Sequence, residues 1–79
     1  MDFTLIEKTQ RDKTCYKLLK TNFYRNYYVF IVQNDSDFCC CSVFAQREEA
    51  HLLFEEIVGT NTEPHTLADI VADRQKQLI

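Results

Sequence analysis

The strongest pattern in the chain is an unbroken apolar run at residues 27–32, Tyr-Tyr-Val-Phe-Ile-Val. β-branched and aromatic residues favour strands, and a strand that is apolar at every position has both of its faces covered. We therefore predict that this run forms the centre of a β-sheet, within a strand over residues 24–33.

Three other segments are predicted as strands, at residues 3–8, which alternate weakly between apolar and polar positions, and at residues 15–20 and 38–44. Polar turn residues separate the four strands, at positions 10–13, 21–22 and 34–37. Short connections make neighbouring strands antiparallel, so the simplest arrangement is a four-stranded meander.

Beyond residue 46 the apolar period changes from that of a strand to that of a helix. One apolar stripe at helical spacing comprises Ala50, Leu53, Phe54, Ile57 and Val58. This spacing predicts a helix over residues 47–58, whose first turn holds Glu48 and Glu49, where acidic residues suit the helix dipole. Gly59 is predicted to end this helix in the left-handed conformation.

A second helix is predicted over residues 66–76. Thr66 and Asp69 have the spacing of a capping box, and Pro64 disfavours helix at the residue before it. The order of elements is ββββαα. We therefore predict a single α+β domain over residues 1–79, an antiparallel meander followed by two C-terminal helices packed on one face of the sheet.

The second helix also carries a resemblance. Residues 63–73 read Glu-Pro-His-Thr-Leu-Ala-Asp-Ile-Val-Ala-Asp. With the preceding strands and helix, roughly over residues 24–73, this segment resembles a family of small uncharacterised α+β domains from clostridia and related Firmicutes. The resemblance implies a bacterial protein with a small α+β fold, and it implies no activity and no functional residue.

The sequence also bears on where in the cell the protein is located. The N-terminus lacks the basic start and apolar run of a signal peptide, and no segment approaches the roughly 20 apolar residues of a membrane span. We therefore expect a cytoplasmic protein whose four cysteines are reduced thiols.

Charge divides the chain into two parts. Residues 1–33 hold six basic and three acidic residues, net +3, whereas residues 34–79 hold three basic and nine acidic residues, net −6. We interpret the basic strands and acidic helices as solvated faces that attract each other within the fold.

Candidate chemistry centres on Cys39, Cys40 and Cys41. On a strand, Cys39 and Cys41 share a face roughly 6.5 to 7 Å apart with Cys40 opposite, a poor spacing for tetrahedral zinc. We interpret these residues as core packing, with a metal or thiol site as a remote alternative.

The remaining titratable residues define no catalytic site. His51 is interpreted as a residue at the edge of the helix stripe, and His65 as a loop residue. The adjacent glutamates of the first helix diverge by about 100° around its axis and cannot act as a dyad. We predict no catalytic, cofactor or metal residues, and hence a protein that is not an enzyme.

Two helices can cover only one face of a sheet that is apolar on both faces. The uncovered face has two candidate sets, one of Tyr24, Tyr28, Phe30, Cys40 and Phe44 and the other of Tyr27, Val29, Ile31, Cys41 and Val43. We predict that the uncovered face is buried in a homodimer or by a partner protein, in a non-enzymatic interaction or regulatory module. The predicted contact residues are Tyr24, Tyr27, Tyr28, Phe30, Lys17, Lys20 and Arg25.

The same mixture of tyrosine and basic residues raises a second hypothesis. Sheets with aromatic rings flanked by Lys and Arg can bind single-stranded nucleic acid by stacking bases. The acidic pI of about 5.2 opposes this alternative, as does the lack of an RNP-like motif. No membrane partner is predicted.

Overall fold

The computed structural model describes residues 3–78, and the side chains of residues 3–76. Its elements are β1 (Thr4–Arg11), β2 (Thr14–Lys20), β3 (Asn26–Gln33), β4 (Asp37–Phe44), α1 (Arg47–Gly59) and α2 (Pro64–Leu78). The four strands form one antiparallel sheet in the order β1-β2-β3-β4. The predicted α+β fold, a meander followed by two helices, is therefore confirmed.

Both helices pack on the same face of the sheet, which we call the covered face. The apolar stripe predicted for α1 is confirmed, because all five of its residues are buried. The sheet contributes Tyr16, Leu18, Val29, Ile31 and Val43 to the same core, and α2 contributes Leu67 and Val71. Each fully buried large apolar side chain contributes about 1.5 to 3 kcal/mol, so this single cluster holds the two layers together.

The turn between β3 and β4 is the one that the sequence indicated most clearly. Asn34 and Asp35 both have positive φ, at 55° and 59°. The N–H of Ser36 donates to the carbonyl oxygen of Gln33 at 3.3 Å. Two consecutive left-handed residues form a type I′ turn, whose twist matches that of the strands, and Asn and Asp are among the residues that tolerate it.

The loop between β2 and β3 is longer than predicted. Arg25 has φ of 56°, and the N–H of Asn26 donates to the carbonyl oxygen of Phe23 at 3.2 Å. The chain therefore turns at Arg25, and β3 begins at Asn26 rather than at Tyr24. The prediction that Tyr24 lies in the strand is wrong, and Phe23 and Tyr24 instead form the tip of a loop.

Strand β1 also differs from its predicted bounds. It continues past Lys8 as far as Arg11, which pairs with Thr14 across a two-residue turn. The register shifts between Leu5 and Glu7, where Ile6 forms a bulge. A bulge inserts one extra residue, bends the strand and locally interrupts its pairing.

The prediction that Gly59 ends α1 in the left-handed conformation is wrong. Gly59 lies inside the last turn of the helix, and Asn61 has the positive φ, at 53°. The N–H of Thr62 donates to the carbonyl oxygen of Ile57, and that of Asn61 to Val58, each at 3.1 Å. These two bonds form a Schellman motif in which asparagine takes the position usually held by glycine.

Helix α2 begins at Pro64, two residues before the predicted start. Proline suits the first helical position because its missing N–H would have no partner there, and its fixed φ is already helical. Thr66 is therefore not a capping residue, and its hydroxyl donates to the carbonyl oxygen of Glu63 at 3.0 Å. Within residues 3–78, no helix is both long and apolar enough to cross a membrane.

Candidate interaction surface

The sheet face opposite the helices carries three complete rows of side chains, which follow from the register of the strands. The rows are Leu5-Leu19-Tyr28-Ser42, Lys8-Lys17-Phe30-Cys40 and Gln10-Cys15-Val32-Phe38. Directly paired residues in antiparallel strands share a face, so each row crosses the whole sheet. We call these twelve residues, together with Asn26 and Phe44 at the end of the sheet, the open face.

Aromatic rings on the open face contact one another. The rings of Phe30 and Phe38 stack with their centroids 5.9 Å apart and an interplanar angle of 16°. Phe3 meets Tyr28 edge to face, with the ring centroids 5.6 Å apart. Phe38 is nevertheless 68% exposed, so the stacked pair lies at the solvent-exposed surface. The open face is thus an ordered aromatic surface that no helix covers.

The middle row places two positive charges side by side. Lys8 and Lys17 are direct partners in the β1-β2 pairing, and Lys17 is also the partner of Phe30. Like charges directly opposite each other on a sheet are destabilising. Within the rows of the open face there is no Asp or Glu, and no described carboxylate forms an ion pair with either lysine.

The predicted contact residues divide between this face and its surroundings. Lys17, Tyr28 and Phe30 lie on the open face. Tyr27 does not, because it pairs with Val43 on the covered face and is only 4% exposed. The placement of Tyr27 among the contact residues is therefore corrected: neighbouring residues of a strand point to opposite faces, and the helices cover the face of Tyr27.

Lys20 and Arg25 organise the loop between β2 and β3. The Lys20 Nζ donates to the carbonyl oxygens of Thr21 and Phe23, each at 2.7 Å, and lies 5.5 Å from the centroid of the Tyr27 ring. The Arg25 guanidinium stacks over Tyr24, 4.9 Å from its ring centroid. Lys20 thus braces the loop from the side of the covered face and is not a rim residue of the open face.

The same loop displays two aromatic side chains. Phe23 is 73% exposed and Tyr24 77% exposed. The Thr21 hydroxyl accepts the N–H of Phe23 at 3.1 Å and donates to the carbonyl oxygen of Asn26 at 3.1 Å. The loop therefore presents these rings from a fixed backbone at the end of the sheet where Phe44 also lies.

Sequence reasoning missed Lys8, Phe23 and Phe38 as members or neighbours of this surface. Phe38 had a usable signal, because it alternates in phase with Cys40 and Phe44 along β4. Lys8 had none, since its position opposite Lys17 depends on the β1-β2 register and on the bulge at Ile6. The exposure of Phe23 depends on the turn at Arg25, and no glycine in the sequence marks that turn.

The cysteines of β4 divide as alternation predicts. Cys39 and Cys41 pack against the core on the covered face with their Sγ atoms 3.9 Å apart, and Cys40 is on the open face. Burial, and secondarily the neighbouring Cys39, raises the pKa of the Cys41 thiol to about 11, so it is protonated at neutral pH. Among the described residues there is no group of three or more His, Cys, Asp or Glu side chains placed to hold a metal ion.

His51 joins α1 to β1. Its Nδ1 contacts the Glu7 carboxylate, and its Nε2 lies 2.6 Å from the Glu55 carboxylate. The Glu7 hydrogen bond raises the pKa of His51, and the charges of Glu7 and Glu55 add to the effect. Two carboxylates can both be satisfied only when both ring nitrogens carry protons. Through Glu7, His51 therefore links α1 to β1, and we call this link the His51 tie. The position of His51 on the helix did not indicate this role.

The fold and the open face define a two-layer α+β domain with one uncovered sheet face. Comparison with protein-family models, with curated proteins and with solved structures gave no match for this chain. The resemblance of residues 63–73 to the clostridial domain family stays a prediction.

Proposed function

We propose that this protein is a non-enzymatic interaction module that buries its open face against another protein. The observation that carries the proposal is the sheet itself, which has helices on one face and ordered aromatic residues on the other. A sheet face that is apolar is buried against another element, whether within the chain or between chains. Contiguous exposed apolar patches beyond a few hundred Å² are a mark of interaction sites.

The open face is large enough for this role. Four strands about 4.8 Å apart, with seven or eight residues rising about 3.3 Å each, project an area of about 450 Å². Upright side chains expose more surface than this projection, and the loop of Phe23 and Tyr24 extends it. A stable interface buries about 800 Å² on each partner, which is of the same order.

The residues on this surface are of the types that anchor interfaces. Aromatic side chains supply large contact areas and dominate binding energy when they fill pockets in the partner. Phe30, Phe38 and Phe44 would supply area, while the Tyr28 hydroxyl and Lys17, which pairs with Phe30 in the middle row, would supply specificity. Because the loop of Phe23 and Tyr24 is already braced by Lys20, little of its conformational entropy would be lost on binding.

Binding of single-stranded nucleic acid is less well supported. Bases stack on the flat faces of aromatic rings, but Phe30 and Phe38 direct faces at each other, and Tyr28 is engaged by Phe3. Only two positive charges lie within the rows of the open face, on a chain of net charge −3. Salt-dependent binding of a single-stranded oligonucleotide would favour this alternative over a protein partner.

A cytoplasmic setting is part of the proposal. All four cysteines are free thiols, which is the state kept by a reducing compartment. Cys40 would lie within the interface, so its protection from alkylation would report on occupancy of the open face.

Site-specific photocrosslinking tests the proposal. A benzophenone amino acid would replace Phe38 on the open face or, as a control, Leu52, which is 64% exposed on the helical layer. In cells that express the chain, we expect a discrete crosslinked protein from position 38 and none from position 52. Equal crosslinking from both positions, or none from position 38, would contradict the proposal.

Sedimentation velocity then separates the two kinds of protein partner. If the partner is a second copy, purified chain at tens of micromolar sediments as a dimer, and Phe30→Asp converts it to a monomer. If the partner is a different protein, the purified wild-type chain and the Phe30→Asp variant both sediment as monomers. The predicted homodimer would be excluded by a strict monomer in this measurement.

A further inference from the structure

We infer that the open face binds an amphipathic helix whose apolar stripe is flanked by carboxylates, and not a second copy of this chain. The inference rests on the proposed function and names the chemistry of the partner. Its starting point is the pair Lys8 and Lys17, directly opposed in the middle row of the open face.

This pair is unfavourable in the isolated chain. Lys8 and Lys17 repel each other across neighbouring strands, and no described carboxylate pairs with either side chain. A carboxylate delivered by a partner would lie between two ammonium groups and relieve the repulsion. The arrangement therefore favours a partner with negative charge at this point.

A second copy cannot deliver that charge through the same face. In a two-fold dimer each subunit contributes the same patch, and the rows of the open face contain no acidic residue. Glu7 points to the covered face, where it contacts His51, while Asp12 and Asp35 lie at the turns. Such a dimer would bury four lysines without a counter-charge, and buried charges that lack a partner are strongly unfavourable.

A helix suits the surface better than an added strand does. Strand addition requires free backbone groups at a sheet edge, and at the β4 edge both backbone groups of Phe44 already bond to the side-chain amide of Gln75. On the covered face the same sheet already accepts two helices through alternating apolar residues. The open face offers the complementary alternation, with Tyr28, Phe30 and Val32 along β3.

The geometry also fixes where the charge must lie on the partner. The aromatic residues of the open face lie on β3 and β4, while the two lysines lie to one side, on β1 and β2. A helix packed along β3 would therefore need its carboxylates on the flank that faces β2. This is the usual layout of an acidic amphipathic helix, with charged residues bordering an apolar stripe.

Two synthetic peptides test the inference. Each is about 18 residues long, enough for a helix of five turns, and carries the same leucine stripe. Glutamates flank the stripe in one peptide and lysines in the other. Fluorescence anisotropy would measure the binding of each peptide to the full chain at low and at physiological salt.

The wild-type chain is expected to bind the acidic peptide at least about tenfold more tightly than the basic one, with the difference shrinking as salt is added. K8E/K17E should reverse this preference. The matched control K13E/K76E changes the same number of charges outside the open face and should leave the preference intact. If K8E/K17E does not fold, K17E serves instead; because it leaves one positive and one negative charge at the pair, it should abolish the preference rather than reverse it.

Each other outcome contradicts the inference in a distinct way. If both peptides bind equally and Phe30→Asp abolishes their binding, the open face is an apolar interaction surface that does not select for charge. Preference for a single-stranded oligonucleotide that K8E/K17E abolishes would indicate a nucleic-acid partner, and a dimer disrupted by Phe30→Asp would indicate a second copy. If neither peptide binds, crosslinking at position 38 decides whether the proposed function fails with the inference or survives it.

Discussion

The side chain of Gln75 bonds to the backbone of Phe44 as a neighbouring strand would. The Phe44 N–H donates to Oε1 at 2.8 Å, and Nε2 donates to the Phe44 carbonyl oxygen at 2.7 Å. The pair links the last turns of α2 to the last residue of β4. Through it, the second helix occupies part of the exposed edge of the sheet.

Replacing Gln75 by Ala removes both bonds. At about 1 kcal/mol for each hydrogen bond, the free energy of unfolding should fall by about 1 to 2 kcal/mol. Urea unfolding would measure this loss, and amide exchange at Phe44 should accelerate. Lys76→Arg, at the exposed neighbouring position, keeps the positive charge near the end of the helix; it is the control and should change neither quantity. An unchanged exchange rate at Phe44 in the Gln75 variant would contradict the pairing.

The tie formed by His51 should make stability depend on pH. The pKa of His51 is raised above its usual 6.5 in the folded chain, first by the Glu7 hydrogen bond. A raised pKa in the folded state stabilises the fold fully below the unfolded pKa, and this stabilisation is lost as pH rises through the folded pKa. The free energy of unfolding should therefore decrease from about pH 6 upward through the neutral range.

Urea unfolding across that range would check this dependence. His51→Gln should flatten it, and Glu7→Gln should lower the pKa of His51 as followed by NMR. His65→Gln removes the other histidine, whose Nδ1 lies 3.3 Å from the Glu63 carboxylate, and should leave the dependence in place. A His51→Gln chain with the same dependence as wild type would rule out the tie.

The C-terminal end of α1 allows two substitutions with opposite effects. A methyl group at Gly59 would meet no atom within 4 Å, and the residue is helical. Gly59→Ala should therefore raise the free energy of unfolding by about 0.5 to 1 kcal/mol. Asn61→Ala places a side chain that disfavours the left-handed region at φ of 53° and should lower it by about 1 kcal/mol.

Thermal unfolding of both variants would distinguish the observed helix end from the one predicted by sequence. Asn61→Gly is the control for the lost amide, because glycine accepts the left-handed conformation without strain. Destabilisation by Gly59→Ala with no effect of Asn61→Ala would place the left-handed residue at Gly59 after all.

Lys8 and Lys17 can be tested within the isolated chain by a double-mutant cycle. K8E or K17E replaces the repulsion by an attraction and should raise the free energy of unfolding by about 0.2 to 1 kcal/mol. K8E/K17E restores like charges and should return stability close to the wild-type value. Additive effects in the double variant would show that the two side chains do not interact.

The sequence was sufficient to predict the elements in which apolar residues recur in a regular pattern. Apolar segments between polar turns located the strands, and the spacing from Ala50 to Val58 located the buried stripe of α1, because burial on one side of a helix imposes that period. The end of α1 was misplaced because glycine is only the commonest residue at a left-handed cap, and Asn61 takes the position here.

The candidate surface was predictable in kind but not in detail. Tyr27 and Tyr28 are equally compatible with either face, and only the packing of the helices decides which one is buried. Contacts such as His51 with Glu7 and Phe44 with Gln75 join residues far apart in the chain, so no local pattern reports them. The net charge of residues 1–33 likewise gave no indication that Lys8 and Lys17 lie directly opposite each other.

The bulge at Ile6 limits the ways in which copies of this molecule can assemble. It interrupts pairing in β1, at one edge of the sheet, as Gln75 does at the end of β4, at the other. Each edge strand therefore carries one feature that interrupts regular pairing with an added strand, and sideways growth from exposed strand edges is the route by which fibrils form. The helix that we propose for the open face would instead add a layer perpendicular to the sheet, and its binding would not require a free strand edge.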